Sequence, residues 1–197
     1  WPYILAVTAF LLVLAGPFLD LRTGSVDDRV LPEAASSRAA LDDIRAGLPG
    51  RQSSALNIVI PGGAADPEAL TAYAIEVSAL DDVERVDGVT GSFVDGELLA
   101  PAELIPPDLL ARFESAEDPD DTWLSAVPTV EPISSAGEEL VGAVRAVPGP
   151  VDEVLVGGTS AQLVDTKAAI SDRLPWAVAL VVAAIGSPTL QGRLATR

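Results

Sequence analysis

The side chains of this chain that could do chemistry are carboxylates, hydroxyls and a single lysine, Lys167, because the sequence contains neither histidine nor cysteine. The absence of both residue types excludes zinc sites of the usual ligand type, thiol nucleophiles and triads with a histidine base. A hydrolase would need a carboxylate pair or a Ser–Lys dyad. We therefore expect no enzyme activity, and we assign no catalytic residue, no metal ligand and no cofactor.

Two charged residues that lie close together in the chain, Asp165 and Lys167, are candidates for a functional contact. They could pair with each other, or they could contact another part of a larger assembly. On a solvated helix face they would contribute little to the stability of the fold, because an exposed ion pair stabilises a protein by only about 0–1 kcal/mol. We favour the solvated face.

The run from Glu114 to Asp121 gathers carboxylates in a short segment. Clustered carboxylates suit hard cations such as Ca²⁺, but this run lacks the alternating ligands and the turn glycine of an EF-hand. We therefore favour a solvated linker and expect weak or no calcium binding.

A glycine pair, Gly157 and Gly158, precedes Thr159 and Ser160 at the predicted start of the last helix. The free N–H groups at a helix amino terminus can bind an anion, but no lysine of the Walker type accompanies this turn. We favour a structural hinge at the two glycines, where a strand gives way to a helix.

The chain is strongly acidic, with 29 Asp and Glu against 12 Lys and Arg and a formal net charge of −17. All the acidic residues lie between Asp20 and Asp172. Such a surface repels phosphate backbones, so nucleic acid is excluded as a partner. Even so, 49% of the residues are hydrophobic, and the two ends of the chain supply much of this content.

The opening segment, Trp1 to Leu19, carries no charged residue. As a helix it would cover roughly 28 Å, close to the ~30 Å hydrocarbon core of a bilayer. Trp1 and Tyr3 lie at one end, where aromatic rings favour the membrane boundary. We favour an uncleaved first membrane helix over 1–19. A signal peptide, which needs a basic start and a cleavage site, and a buried helix of a soluble protein are the alternatives.

A second apolar run, Leu174 to Ile185, covers roughly 18 Å as a helix, too short to span a bilayer alone. Arg193 and Arg197 follow it, and basic residues beside a span favour the cytoplasmic side. We predict a helix over 160–190 that leads into a second membrane helix, with a cytoplasmic tail over 191–197. The chain would then be a multi-pass protein of the cytoplasmic membrane whose acidic domain is extracytoplasmic.

Between these ends, residues 20–54 are predicted to be a neck with one short helix, which Ser36 or Ser37 can cap. Gly24 and the acidic residues interrupt any regular period before that helix. The residues that could fix the neck through charge pairs are Asp27, Asp28, Arg29 and Arg38.

Residues 55–159 are predicted to form an α+β domain, because the order strand–helix–strand occurs twice, over 55–94 and 123–158. Asp66-Pro67 starts the first helix, and a capping box from Ser135 to Glu138 starts the second. We predict a ferredoxin-like sandwich with one antiparallel or mixed sheet and helices on one face.

The segment between the two halves, about 95–122, is rich in proline and acid and is predicted to be mostly a linker. Aromatic residues could line an apolar groove, although we favour core packing for them. These aromatic residues are Tyr73, Phe93, Phe113 and Trp123.

Several short motifs follow one another along the chain between the two apolar segments. They are Asp27-Asp28-Arg29-Val30-Leu31-Pro32, Ser37-Arg38, Asp66-Pro67, Val127-Pro128-Thr129-Val130-Glu131-Pro132, Gly157-Gly158-Thr159-Ser160-Ala161, Asp165 and Leu174-Pro175. Each motif alone is a weak indication of a family. In this order, they resemble the first extracytoplasmic module of the MMPL (mycobacterial membrane protein large) family of RND transporters.

This resemblance implies proton-driven export of lipids or other hydrophobic substrates, with the porter domain in the outer part of the substrate path. It also implies membrane lipids, further helices and a second porter domain as partners. The proton-relay residues of the family lie in later spans, so none is assigned here. We expect the chain to be a fragment that stops within the second membrane helix.

Another class of protein fits the same two-span layout. In FtsX-like subunits of ABC-type systems, an extracytoplasmic domain between spans binds and regulates other envelope proteins. We keep this interaction domain as the alternative. An apolar pocket between the two strand–helix–strand halves would favour lipid handling.

Overall fold

The structure, a computed structural model, describes residues 35–47 and 54–194, together with the single positions Ala6, Phe10 and Pro32. The predicted first membrane helix therefore lies outside the described residues apart from Ala6 and Phe10, and the predicted neck residues 27–29 lie outside them as well. The chain divides into two compact units, Trp1–Arg45 and Ala46–Arg197.

Helix α1, Ser36–Gly47, is the element described at the start of the chain. Its first residue is one of the two serines predicted to open it, and it ends before Pro49-Gly50, a pair that does not continue a helix. Arg38 lies in its first turn. The short helix predicted within the neck is thus present.

One six-stranded sheet organises the second unit, and each pair of neighbouring strands in it is antiparallel. The spatial order is β4-β3-β2-β5-β1-β6. The strands are β1 Leu56–Ile60, β2 Val83–Gly88, β3 Gly91–Val94, β4 Glu97–Pro101, β5 Thr122–Pro128 and β6 Leu155–Gly157.

Four helices accompany this sheet, and short 3-10 turns lie between them. The helices are α2 Pro67–Ser78, α3 Pro107–Leu110, α4 Ser135–Ala146 and α5 Thr159–Leu194. The 3-10 turns are Gly63–Ala65, Ala102–Leu104 and Ala111–Phe113. The predicted mixture of helices with an antiparallel sheet is confirmed.

The two predicted strand–helix–strand halves are β1-α2-β2 and β5-α4-β6, and they interleave in the sheet. Strand β5 lies between β1 and β2, and β1 lies between β5 and β6. Because β5 is antiparallel to both of its neighbours, β1 and β2 run parallel to each other. Each half therefore contributes a strand to the interior of the other.

The core lies between the sheet and the apolar faces of α2 and α4. On β1 the buried side chains Leu56, Ile58 and Ile60 alternate with exposed Asn57 and Val59, the period expected of a strand with one covered face. The buried apolar rows of the helices join the same continuous core. Those helix residues are Leu70, Tyr73, Ala74 and Val77 on α2, and Leu140, Val141 and Val144 on α4.

The predicted start of α2 is confirmed. The Asp66 Oδ1 accepts a hydrogen bond from the Ala69 backbone N–H at 3.0 Å, and Pro67 occupies the first helical position. Both features stabilise a helix amino terminus, because the side-chain acceptor satisfies one of its free N–H groups and proline has no N–H to leave unpaired.

The predicted capping box of α4 is wrong by one residue. Ser134, which has an extended backbone, is the cap, and its Oγ accepts from the Gly137 backbone N–H at 3.1 Å. Ser135 is already the first helical residue. Glu138 is consequently one position too far along to reach back to the cap, and its carboxylate instead binds a lysine on α5.

The segment predicted to be a linker, 95–122, instead holds structured elements. Strand β4 pairs with β3 through a two-residue turn at Asp95 and Gly96, whose φ angles are 50° and 77°. An Asp-Gly pair with two positive φ angles is the usual tight hairpin turn, since its twist matches that of the strands. The strand–helix–strand prediction over 55–94 took Val83 to Val94 as one strand with bends at Gly88 and Gly91, and this segment is likewise two strands, β2 and β3.

Helix α5 is 36 residues long and contains the predicted second apolar run. In the described part of the chain, no helix combines the length and the hydropathy that a membrane span requires.

Candidate functional site

A cavity of about 360 Å³ lies where the two strand–helix–strand halves meet the start of α5. Helix α2 contributes one side chain to it, and α4, the segment after α4, β6 and α5 supply the others. The lining residues are Tyr73, Val144, Arg145, Val147, Val154, Leu155, Val156 and Asp165.

The sheet and its edge strand position one wall of this cavity. Strand β6 is only three residues long and pairs with β1, so that Val156 lies opposite Ile58, which is fully buried in the core. Val156 therefore faces the helical side of the sheet, because paired residues in a ladder point to the same face. On the facing helix, Val144 is fully buried.

Tyr73 is the buried polar residue among those that line this cavity. Its side chain is only 3% exposed, yet its hydroxyl has no hydrogen-bond partner among the described residues. Burial raises the pKa of this phenol to about 12, because the charged phenolate would be poorly solvated. Tyr73 therefore remains a neutral hydrogen-bond donor throughout the physiological pH range.

Arg145 and Asp165 form an ion pair at the edge of the cavity. Two hydrogen bonds join the guanidinium to the carboxylate, at 2.7 and 3.0 Å, and Arg145 also donates to the Val156 carbonyl at 3.3 Å. Hydrogen bonding by Arg145 lowers the pKa of Asp165, and the same pair raises the pKa of Arg145. The side chains are 36% and 59% exposed, so this pair lies in solvent and contributes little stability.

A second ion pair joins the same two helices. Lys167 Nζ lies 2.6 Å from the Glu138 Oε1, and both side chains are about one-third exposed. The two predicted candidates, Asp165 and Lys167, thus do not pair with each other. Each binds a residue of α4, and together they attach the first turns of α5 to the domain.

The predicted hinge glycines lie at the junction of β6 and α5. Gly157 pairs with Asn57 in the sheet, and Gly158 has a φ of 115°. A Cβ added at Gly158 would lie 2.8 Å from the Ala55 carbonyl oxygen. Glycine is therefore required at this position for two reasons: other residues rarely adopt this backbone conformation, and the Ala55 carbonyl lies too close to leave room for a Cβ. The neighbouring Ser160 is only 3% exposed.

The acidic run from Glu114 to Asp121 folds into turns. The Asp121 Oδ1 accepts from the Gly62 N–H at 2.9 Å, and the Ser115 Oγ accepts from the N–H groups of Glu117 and Asp118. Among the residues that the structure describes, no three carboxylates come together in a group that could hold a metal ion.

The other predicted aromatic residues pack elsewhere. Phe93 is fully buried in the main core, and the rings of Phe113 and Trp123 lie 4.8 Å apart. The Trp123 indole N–H donates to the Arg112 carbonyl at 2.8 Å. Only Tyr73, of the four aromatic residues considered, contributes to the cavity.

Beyond its first turns, α5 exposes large apolar side chains on every side. Residues 170–180 are all exposed, and Trp176 is 78% exposed. The exposed apolar residues of this segment, which we call the apolar segment of α5, are Ile170, Leu174, Trp176, Val178 and Leu180.

Sequence comparison finds no matching protein-family model and no match among curated proteins. The functional assignment therefore depends on the residues and the geometry described above. Sequence reasoning missed the cavity itself, since it considered Tyr73 for an apolar groove but singled out neither its hydroxyl nor Arg145. The charges on α4 offered a signal for the two ion pairs. Glu138 and Arg145 are seven residues apart, about two helical turns, and therefore lie near one face of the helix.

Proposed function

We propose that this chain is the first porter domain, with its adjoining helices, of a proton-driven exporter similar to the MMPL family of RND transporters. The whole exporter would move lipids or other hydrophobic molecules across the cytoplasmic membrane. This chain would supply part of the extracytoplasmic substrate path, and proton coupling would belong to other spans of the exporter.

The order of the central strands supports this proposal. The four strands of the two strand–helix–strand halves follow the order β2-β5-β1-β6, with antiparallel neighbours throughout. We assign this arrangement to the ferredoxin-like type, to which the β3-β4 pair is added beyond β2. The resemblance in motif order implies the same type of porter domain.

The observation that carries the proposal is the construction of α5. Its first turns are attached to the domain by the Arg145–Asp165 and Lys167–Glu138 pairs. The same unbroken helix then continues into the apolar segment of α5, which has no cover from the described residues. A helix that is apolar on all sides is normally surrounded by lipid or by other apolar helices. In an exporter, that surrounding would be the membrane and the neighbouring helices.

The cavity between the two halves has walls of mixed character. Four of its eight lining residues are valines, and the others include Tyr73 and the Arg145–Asp165 ion pair. A predominantly apolar pocket would favour lipid handling. This cavity does not meet that description, so the proposal rests on α5 and on the strand order.

Cysteine labelling of the full chain tests the membrane arrangement cleanly, because the chain has no cysteine of its own. We would express Asp118→Cys, in the exposed acidic run, and Thr196→Cys, in the predicted tail, in a bacterial membrane. A maleimide that cannot cross the membrane should label Asp118→Cys in intact cells. Thr196→Cys should react only after the cells are opened.

A chain that stays in the soluble fraction, or equal labelling at both positions in intact cells, would remove the basis of the exporter assignment. Trp176→Asp provides a further comparison, since a charge in the apolar segment of α5 should reduce membrane association. The matched control is Asp118→Asn, a change of one charge at a distant exposed residue.

An interaction domain of the FtsX-like kind is the second candidate, and the edge strand β4 favours it. Leu98 and Leu99 on this strand are 46% and 66% exposed, and Leu104 and Leu109 beyond it are exposed as well. An edge strand with exposed apolar residues can bind another chain. Leu99→Ser should abolish co-purification with a protein partner if this function is correct, and should leave binding of hydrophobic molecules unchanged if the exporter is correct.

A further inference from the structure

Strand β4 forms one outer edge of the sheet, and β6 forms the other. An edge strand presents a row of backbone N–H and C=O groups on its outer side, to which another chain can add as a further strand. Strand β6 is only three residues long, whereas β4 has five. Because a very short edge strand resists strand addition, β4 is the edge at which another chain would pair.

The side chains of β4 differ between the two faces of the sheet. Leu98 lies opposite Phe93, which is fully buried in the core, so Leu98 faces the helical side. Glu97 lies opposite Val94 and therefore faces the other side. Leu98 is still 46% exposed. A strand added beside β4 would thus meet an apolar side chain on one face and a carboxylate on the other.

A bulge in β4 adds to this apolar edge. Leu98 and Ala100 lie opposite consecutive residues of β3, so Leu99 between them is the extra residue of the bulge. Leu99 is 66% exposed, and Leu104, in the 3-10 turn just after the strand, is 77% exposed. Natural edge strands are protected by charged side chains as well as by bulges. Here the bulge presents a leucine, and covering it with a partner is favourable in proportion to the apolar area removed from water.

The charges around β4 select the kind of partner. The chain has no basic residue from 86 to 111. Carboxylates on β4 and in the segments that flank it in the chain are exposed: Asp95, Glu97, Glu103 and Asp108. A second copy of this chain, whose formal net charge is −17, would bring the same carboxylates and be repelled. Opposite charges across an interface favour the encounter and fix its register, so the complementary partner carries lysine or arginine.

We propose that β4 binds an extended segment of another protein, in which apolar and basic residues alternate, as a seventh strand of the sheet. Backbone hydrogen bonds supply affinity in this mode of binding, and the alternate side chains supply specificity. The inference goes beyond the exporter assignment, because it depends on the edge strand and not on the membrane arrangement. It also names the partner chemistry that the second candidate function leaves open.

The test uses the full chain, held in solution by a non-ionic amphipathic polymer, since a charged polymer would compete for charged peptides. Three peptides of about seven residues with blocked ends match the usual length of a strand. The first alternates valine and lysine, the second has glutamate in place of each lysine, and the third groups the same valines and lysines in two blocks. Binding is followed by the backbone amide NMR signals of residues 97–100.

The alternating valine–lysine peptide should shift these amide signals. It should bind at least about tenfold more tightly than the glutamate peptide, because several cross-strand charge pairs each contribute up to about fivefold. It should also bind more tightly than the block peptide, which cannot present an apolar row on one face and a basic row on the other. Because no membrane is involved, failure here leaves the labelling test of the exporter untouched.

Leu98→Thr shortens the apolar side chain and keeps a residue that favours a strand. It should weaken binding of the valine–lysine peptide roughly fivefold, because apolar contact is lost. Leu155→Thr is the matched control, since it makes the same change at a leucine that is 51% exposed on the opposite edge strand, β6. Glu97→Gln should weaken the same peptide about two- to fivefold, whereas Glu139→Gln, at an exposed residue of α4, should leave its affinity unchanged.

Three results would overturn the proposal. Equal affinity of the valine–lysine peptide and either comparison peptide would show that charge or alternation does not select the partner. Equal effects of Leu98→Thr and Leu155→Thr, in variants whose melting curves match that of the natural chain, would show that β4 is not the binding site. Concentration-dependent self-association of the full chain, abolished by Leu98→Thr, would identify a second copy as the occupant of this edge.

Discussion

Arg145 on α4 and Asp165 on α5, twenty residues apart in the chain, form two hydrogen bonds of 2.7 and 3.0 Å at the edge of the cavity. The pair does two things at once. It attaches α5 to the domain, and it keeps the only guanidinium among the cavity's lining residues engaged with a carboxylate.

The pKa of Asp165 should lie below its ordinary value, because Arg145 donates hydrogen bonds to the charged carboxylate. A depressed folded-state pKa means that any stabilisation by this pair is fully present above the unfolded-state pKa of about 3.9. It is lost as the pH falls through the lower folded-state pKa. A carboxylate NMR titration of the natural chain and Arg145→Gln should show the pKa of Asp165 rising in the variant.

Arg112→Gln is the matched control, since it makes the same change at an arginine that lies over the Phe113 ring, in the segment before β5. It should leave the pKa of Asp165 close to that in the natural chain. An identical pKa in Arg145→Gln and in the natural chain would show that the ion pair is absent in solution.

Tyr73→Phe should stabilise the ligand-free domain by about 1 kcal/mol, because it removes a buried hydroxyl that makes no hydrogen bond with the described residues. Urea unfolding of the full chain in amphipathic polymer measures the change, with Tyr3→Phe as the control for the chemistry. A destabilisation of similar size would instead indicate that a water molecule holds the hydroxyl.

Gly158→Ala should destabilise the domain by about 1–3 kcal/mol, the usual effect of forcing a non-glycine residue into an unfavourable backbone region. The φ of Gly158 is 115°, and the added Cβ would lie 2.8 Å from the Ala55 carbonyl oxygen. The midpoint of thermal unfolding reports the loss.

Gly142→Ala should have the opposite effect on the stability of the same domain. Gly142 lies inside α4, and a Cβ there would meet nothing within 4 Å. Alanine should therefore stabilise the helix by about 0.5–1 kcal/mol. If both alanine variants changed stability in the same direction, the positive φ of Gly158 would not be the cause of its effect.

The cap of α4 can be located by a pair of serine variants. Ser134→Ala should destabilise the domain by about 1 kcal/mol, since its Oγ accepts from the Gly137 N–H at 3.1 Å. Ser135→Ala should change stability by less than about 0.5 kcal/mol, because Ser135 lies in the first helical turn. A larger loss at Ser135 than at Ser134 would restore the capping box predicted from the sequence.

Features that depend on neighbouring residues were predictable from the sequence. The strand–helix–strand order appeared in the short apolar run of β1 and in the helical spacing of α2, and the start of α2 appeared in Asp66-Pro67. The Asp95-Gly96 turn was equally local, and its two-residue hairpin signal was passed over because the surrounding prolines and acids suggested a linker. These signals are readable because the backbone conformation of a turn or a cap depends on a few adjacent side chains.

The sequence by itself determined the acidic character of the chain, its lack of histidine and cysteine chemistry, and the periods of its helices and strands. Tertiary structure alone decided that Asp165 binds Arg145, that Lys167 binds Glu138, and that Tyr73 lies beside the valines of α4 and β6. The physical reason is that an ion pair or a cavity requires side chains to meet across elements distant in the chain. Residue spacing constrains which face of an element a side chain occupies, whereas the packing of those faces decides what it contacts.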